Sequence, residues 1–171
     1  SSNTIDLLRV TCESLKPYKF YSRDSLGVDL ISPERGYLLA SILELGLDHE
    51  NLDTIFATCD FTKSDLSNRS FNGLTIRGID LSGSDLSNTQ FVNCKLDNSN
   101  FSGADLSKSD LSGASMNSCE LKRTNLEWTN LSNCQLSNSN LNSARMANAN
   151  LTGAIIKNAF IKWTDLSNAI A

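Results

Sequence analysis

The chain carries one histidine, His49, and no Cys-x-x-Cys pair among Cys12, Cys59, Cys94, Cys119 and Cys134. Zinc frameworks draw Cys and His ligands from short, convergent spacings, so no metal is expected. There is no glycine-rich phosphate loop at a strand–helix junction, and no Ser or Cys nucleophile with a histidine base. Catalysis and cofactors are therefore not expected, and His49, within Asp48-His49-Glu50, reads as a solvated loop residue. No run of about 18 apolar residues occurs, so nothing here is expected to span a bilayer. No secretory leader is visible. The chain opens on Ser-Ser rather than Met, which leaves an upstream leader or anchor open; a cytoplasmic location is the expectation. Aromatic residues make up 7% of the chain, so an ordinary aromatic-rich core is not available, and the apolar positions fall mainly to leucine.

Charge of one sign is also scarce where it would matter. The net charge is −4, but residues 1–53 hold 9 acids and 5 bases, whereas residues 54–171 hold 10 of each. A neutral main body argues against a broad phosphate-binding surface, and direct nucleic-acid binding is not expected.

What the sequence has is a period. From Phe56, every fifth residue is large and apolar: Phe56, Phe61, Leu66, Phe71, Ile76, Leu81, Leu86, Phe91, Leu96, Phe101, Leu106, and so on through Leu166, 23 in succession. Two residues before each stands a mostly small series, including Thr54, Cys59, Ser64, Ala104, Ser109, Ala114, Cys119 and Thr124. Strands alternate every two residues and helices every 3.6, so a period of five fits neither as a continuous element. It fits a coil that turns a corner every five residues. The centre residue and the one two before it point inward, and the others face out or form the corner. Glycine and asparagine cluster two after the centre, as at Gly73, Gly103, Asn88 and Asn133, because they tolerate tight corner geometry. Four of the five cysteines occupy the small series, which reads as buried free thiols in a reducing compartment.

The recurring pattern, seen in Ala104-Asp105-Leu106, Ser84-Asp85-Leu86, Ala149-Asn150-Leu151 and Thr164-Asp165-Leu166, resembles the pentapeptide repeat family. The resemblance implies an all-β solenoid, a right-handed quadrilateral parallel β-helix with four repeats per coil. Residues 54–171 would make nearly six coils, stacked about 4.8 Å apart. Residues 1–53 break the pattern and read as a mainly helical N-terminal cap, since a repeat array needs its ends covered. Within the cap, one helix is expected over Ile5, Leu8, Cys12 and Leu15, ending at Pro17. An aromatic cluster at Tyr18, Phe20 and Tyr21 follows, then a turn around Gly27. A second helix has Ser32 as N-cap, Pro33 in its first turn, an apolar stripe at Leu38, Leu39, Ile42 and Leu45, and Gly46 as its stop. Leu47 to Asp53 then leads into the first repeat.

Departures from the pattern mark candidate sites. Arg69, Leu74 and Ile79 break the small series in consecutive repeats. A buried unpaired guanidinium is costly, so either the local backbone is expected to be irregular or Arg69 to reach cap carboxylates such as Glu50 or Asp53, with ligand binding as the other use. Stacking at 20 residues aligns Asp65, Asp85 and Asp105 in one outer column and Asp60, Asp80 and Glu120 in the next. Such columns order corners; the resemblance adds a second reading, because some family members protect DNA gyrase by imitating DNA. At the C-terminal end, Ile155, Phe160 and Ile170 stand where polar residues are wanted, and Trp128 and Trp163 occupy corner slots. Together they form a candidate interface, with tail-to-tail homodimerisation or a covering segment beyond residue 171 as the expected uses. Three functions follow: a non-enzymatic protein-interaction scaffold, a gyrase-directed DNA mimic, or a regulatory or targeting domain of a larger effector or membrane-anchored protein.

Overall fold

A computed structural model of the chain describes residues 31–171. The expected helix over residues 5–15, the aromatic cluster and the Gly27 turn lie outside the described residues.

The described chain begins with two helices, α1 (Pro33–Glu44) and α2 (His49–Thr58). Ser32 caps α1 as expected: its hydroxyl accepts from the Arg35 N–H at 3.3 Å, and Pro33 stands in the first turn, where a missing N–H costs nothing. The stripe buries Leu39 and Ile42, while Leu45 falls past the helix end and stays exposed. Gly46 ends the helix at φ +61°, a conformation glycine adopts freely.

α2 corrects the expected start of the repeats. Asp48 caps it, accepting from the Asn51 N–H at 3.0 Å, and the helix runs through Thr58. Thr54 and Phe56 are therefore helical, His49 opens a helix rather than a loop, and the first centre residue set in a coil is Phe61. Leu52 and Ile55 are buried and Phe56 is partly so, its ring meeting Phe61 edge-on at 6.1 Å. The helix thus plugs the end of the core.

From Phe61 onward the coils repeat with the expected count. Single-residue parallel bridges join Asp65 to Asp85, Ser70 to Gln90, Thr75 to Lys95 and Asp80 to Asn100, always 20 residues apart. The bonding alternates regularly: the Leu86 N–H donates to Asp105 O at 2.7 Å, and the Asp105 N–H donates back to Ser84 O at 2.9 Å. Four such faces close one coil. No face is long enough for an extended strand, because a corner interrupts it every five residues.

Inside, centre residues from Phe61 to Met146 are buried, each contributing on the order of 1.5–3 kcal/mol before entropy is counted. Phe71 and Phe91 stack across adjacent coils at 5.2 Å. Most of the small series is buried beside them, and its polar members bond core carbonyls, some in their own coil, as Ser109 does to Leu106 O at 2.6 Å, and some in the coil beneath. Thr124 Oγ1 donates to Phe101 O at 2.8 Å, and Ser139 Oγ to Met116 O at 2.6 Å. Cys119 Sγ does the same to Leu96 O at 3.1 Å, so a thiol serves where a hydroxyl would. Burial pushes the Cys119 and Cys134 thiols up to about 12 and raises Cys94 as well, leaving all three free thiols unreactive. Cys59 is different: it is disulfide-bonded, which corrects the expectation of free thiols throughout. It caps the C-terminal end of α2.

Leu74 and Ile79 both belong to the first coil, which is bordered by the cap helices rather than by another coil. Ile79 is fully buried and Leu74 packs against the core.

Candidate interaction surfaces

Among the described residues, most of the exposed large apolar side chains lie on the last coil. Its centre residues Ile156, Ile161 and Leu166 are 45%, 46% and 43% exposed, whereas Leu136, Leu141 and Met146 directly beneath are buried. The Leu136, Leu141 and Met146 N–H groups donate to Ile155, Phe160 and Asp165 carbonyls, but the N–H groups of Ile156, Ile161 and Leu166 have no such partner among the described residues. Each of the expected interface residues is exposed here: Ile155, Phe160, Trp163 and Ile170 on the last coil, and Trp128 two coils lower. Ile155 tops the Thr75–Lys95–Ser115–Gln135 column, Phe160 the Asp80–Asn100–Glu120–Asn140 column and Ile170 the Ser70–Gln90–Asp110–Asn130–Asn150 column. Three of four faces thus turn from polar to apolar in the final layer; the fourth ends in Asp165. Lys162 Nζ lies 4.2 Å from the Trp163 ring centre, a cation over an aromatic face.

The acidic columns are present but tied into the corners. Asp65 Oδ1 accepts from the Ser67 N–H at 3.1 Å and Ser67 Oγ at 2.9 Å. Asp85 does the same with Ser87. Asp105 takes the Ser107 N–H at 2.9 Å and Asn125 Nδ2 at 2.9 Å from the next coil. Asp80 is held likewise by Ser82 and Asn100, and Glu120 by Asn140. Such a carboxylate, two residues before its N–H donor, fixes the turn. Above Asp105 the column passes through Asn125 to Arg145, which pairs with Glu127 at 2.6 Å. A carboxylate outside these columns is the most heavily bonded. Asp97 accepts from Ser115 Oγ, the Asn117 N–H and Asn117 Nδ2, and faces Arg77 at 3.4 Å. Burial pushes its carboxyl up, but those bonds and the arginine outweigh it, and the carboxyl sits below its ordinary value.

At the cap joint the ion pair runs opposite to expectation. Arg35 of α1, which the sequence did not single out, is buried; it donates to Thr62 O at 2.6 Å and pairs with Asp60 at 3.0 Å. Asp60 therefore serves the cap, and its place in an acidic column is secondary. Arg69 does reach the cap, but no Glu50 or Asp53 contact is made: its guanidinium lies over the Tyr37 ring at 4.9 Å. Ser32 extends the coil edge by one residue, its N–H donating to Lys63 O at 2.6 Å and its carbonyl accepting from the Asp65 N–H at 3.0 Å. Beside that joint, α1 and the first coil enclose a half-open cavity of about 320 Å³, lined by Ala40, Leu43 and Glu44 on one side and Arg69, Ser70, Phe71 and Leu74 on the other.

Among the described residues, no group of His, Cys, Asp and Glu side chains is placed to hold a metal ion, and no helix is long and apolar enough to cross a membrane. Fold and surface together define a repeat solenoid, a class in which successive short repeats stack around one continuous core. The family description "Pentapeptide repeat region" matches residues 54–131, and "Pentapeptide repeats (8 copies)" matches residues 119–158 and 134–170. The chain belongs to the pentapeptide repeat family. Among solved structures it is similar to the pentapeptide repeat protein Rfr23 of the cyanobacterium Cyanothece 51142, with 20% identity and a TM-score of 0.56 over 62% of this chain and 90% of that one. It is also similar to the pentapeptide repeat protein alr5209 of Nostoc PCC 7120, with 21% identity and a TM-score of 0.36 over 84% and 98%. QnrB1, a plasmid-mediated fluoroquinolone resistance protein, gives 21% identity and a TM-score of 0.25 over 60% and 65%. At those last two TM-scores neither adds to the fold assignment. The pentapeptide-repeat relatives imply a right-handed quadrilateral β-helix for the coils. No curated protein sequence matches the chain.

Proposed function

We propose that this chain is a non-enzymatic interaction scaffold whose C-terminal coil is its principal docking surface, and that a second copy of the chain occupies it tail to tail. One observation carries the reading. Ile155, Phe160 and Ile170 stand in columns that are polar in every coil below, and they turn apolar only in the last layer, where the core also lies open. Exposed apolar patches of this kind mark interaction sites. A second copy presents the same apolar end, so the contact is self-complementary and closes at a dimer. The interior of the coils, filled by apolar side chains from Phe61 to Met146, supports a scaffold that works through its surface. Light scattering across a concentration series tests this. A dimer that becomes a monomer in the Phe160→Asp/Ile170→Asp double variant is expected; a wild-type chain that stays monomeric at high concentration overturns the tail-to-tail contact.

A second reading, a gyrase-directed DNA mimic, rests on the direct stacking of Asp65, Asp85 and Asp105 in successive coils. Its columns are short, and Arg145 interrupts the longest. A supercoiling assay with purified gyrase, with and without a quinolone, decides it. Unchanged gyrase activity at excess protein removes this reading and leaves the scaffold intact.

A further inference from the structure

We infer that the cavity between α1 and the first coil receives an extended peptide from a partner protein, with an apolar side chain in the cavity and an acidic residue beside it on Arg69. Three features of the cavity converge on that occupant. The first is backbone. In the interior coils each outer position is bonded on both edges: the Gln90 N–H donates to Arg69 O, while Gln90 O accepts from the Phe71 N–H. On the first coil, the Ser70 N–H, Ser70 C=O and Asn72 C=O face the cap with no such partner among the described residues. The neighbouring face differs, because Ser32 already bonds Asp65 there. An unpaired edge of alternating donor and acceptor is the template on which an extended chain adds as a further strand. It would run parallel to the coil, as every neighbouring pair in the solenoid does.

The second feature is volume and polarity. The cavity of about 320 Å³ is walled by Ala40, Leu43, Phe71 and Leu74, which suits one branched or aromatic side chain directed off the added strand. The third is charge. Arg69 lines the cavity and is held by its stacking on Tyr37, so its face is engaged while its N–H edge remains free to bond a carboxylate. Among the described residues it has no carboxylate partner. Glu44 also lines the cavity and disfavours a second acid. The recognised segment is therefore apolar–acidic with a single negative charge. This site lies at the opposite end of the solenoid from the C-terminal coil and is independent of the reading of that coil.

The test uses the whole chain, 15N-labelled, and two blocked peptides, acetyl-Thr-Asp-Thr-Leu-Thr-amide and its Lys-for-Asp counterpart, in which the two recognised side chains stand two residues apart and so share one face of an extended strand. The expected result is a saturable shift of the Ser70 amide with the acidic peptide only. Arg69→Glu, a substitution at a partly exposed site, should weaken that peptide at least about tenfold and reverse the preference toward the lysine peptide. Three outcomes overturn the inference: no shift at Ser70 at millimolar peptide, equal response to both peptides, or a Ser70 amide already protected from hydrogen exchange in the free chain. The last would mean that the edge is filled by the chain itself.

Discussion

Corner residues carry much of the molecule's local strain. Each corner places the residue two after the centre in the left-handed region, at φ +60° for Asn68 and +61° for Asn138. Asparagine accepts this conformation through its short polar side chain, whereas most residues pay roughly 1–2 kcal/mol for it. Trp128 adopts φ +61° at 62% exposure, so the strain is not offset by packing within the chain. Trp128→Asn should therefore raise stability by about 0.5–1 kcal/mol, read as a higher urea midpoint with an unchanged slope. A fall in the midpoint would show that the tryptophan is anchored by contacts within the monomer. The small inward slots obey a different rule. There Cys, Ser and Thr all serve as short donors to carbonyls of their own coil or the coil beneath, and Cys94 and Cys119 sit buried in that role as free thiols.

At the scale of elements, α1 meets the coils through a close backbone approach, beside the core contacts of α2. Gly36 of α1 packs directly on the first coil: a Cβ there would come 1.8 Å from the Asp65 carbonyl oxygen. Helix propensity alone favours Gly36→Ala by about 1 kcal/mol. The clash must instead push α1 off the coil, loosening the Arg35–Asp60 pair and the Ser32 bridge, so the variant should lose about 1–3 kcal/mol in chemical denaturation. A gain in stability would show that α1 is not seated on the coil as described.

These elements also show what the sequence made legible. The coils were readable because every inward position repeats the same demand, and 20-residue pairing then follows from geometry. α1 was readable from Ser32, Pro33 and Gly46. α2 was hidden because Phe56 happens to fall in the five-residue register. Its helical spacing, Leu52, Ile55, Phe56 and Cys59, with Asp48 as cap, is the signal that competes with that register. Arg35 was unreadable: a lone arginine on a helix gives no sign that it will be buried against another element. Arg69 was recognisable as an anomaly, but its partner is an aromatic ring, and nothing in the spacing distinguishes a ring from a carboxylate. The C-terminal apolar residues were visible as departures from their columns, and the structure brings all but Trp128 into one layer.

For the whole molecule, each coil touches only the coil above and below, so stability is a sum of neighbouring interfaces. Position along the axis should then decide the effect of a substitution more than residue type does. Leu106, buried between two coils, should lose about 2–5 kcal/mol on replacement by alanine. Leu166, in the same column but 43% exposed in the last layer, should lose less than half of that in the monomer. Thermal or urea unfolding of the two variants checks the contrast. Equal losses would mean that the terminal layer is covered in solution, and a concentration dependence confined to Leu166→Ala would identify the cover as a second copy.

Four repeats to the turn also give the solenoid a reading frame of its own. Excising 20 residues, such as 107–126, would shorten it by one storey and leave every downstream face above its old position. Excising five would preserve the hydrophobic interior equally well yet rotate everything beyond by a quarter turn. Phe160 would then crown the Thr75–Lys95 column instead of the Asp80–Asn100 column. Length changes in such a chain are therefore of two kinds: those that move its C-terminal surface along the axis, and those that also swing it around the axis. A partner gripping both ends would tolerate neither, but a partner gripping one end would not register either change.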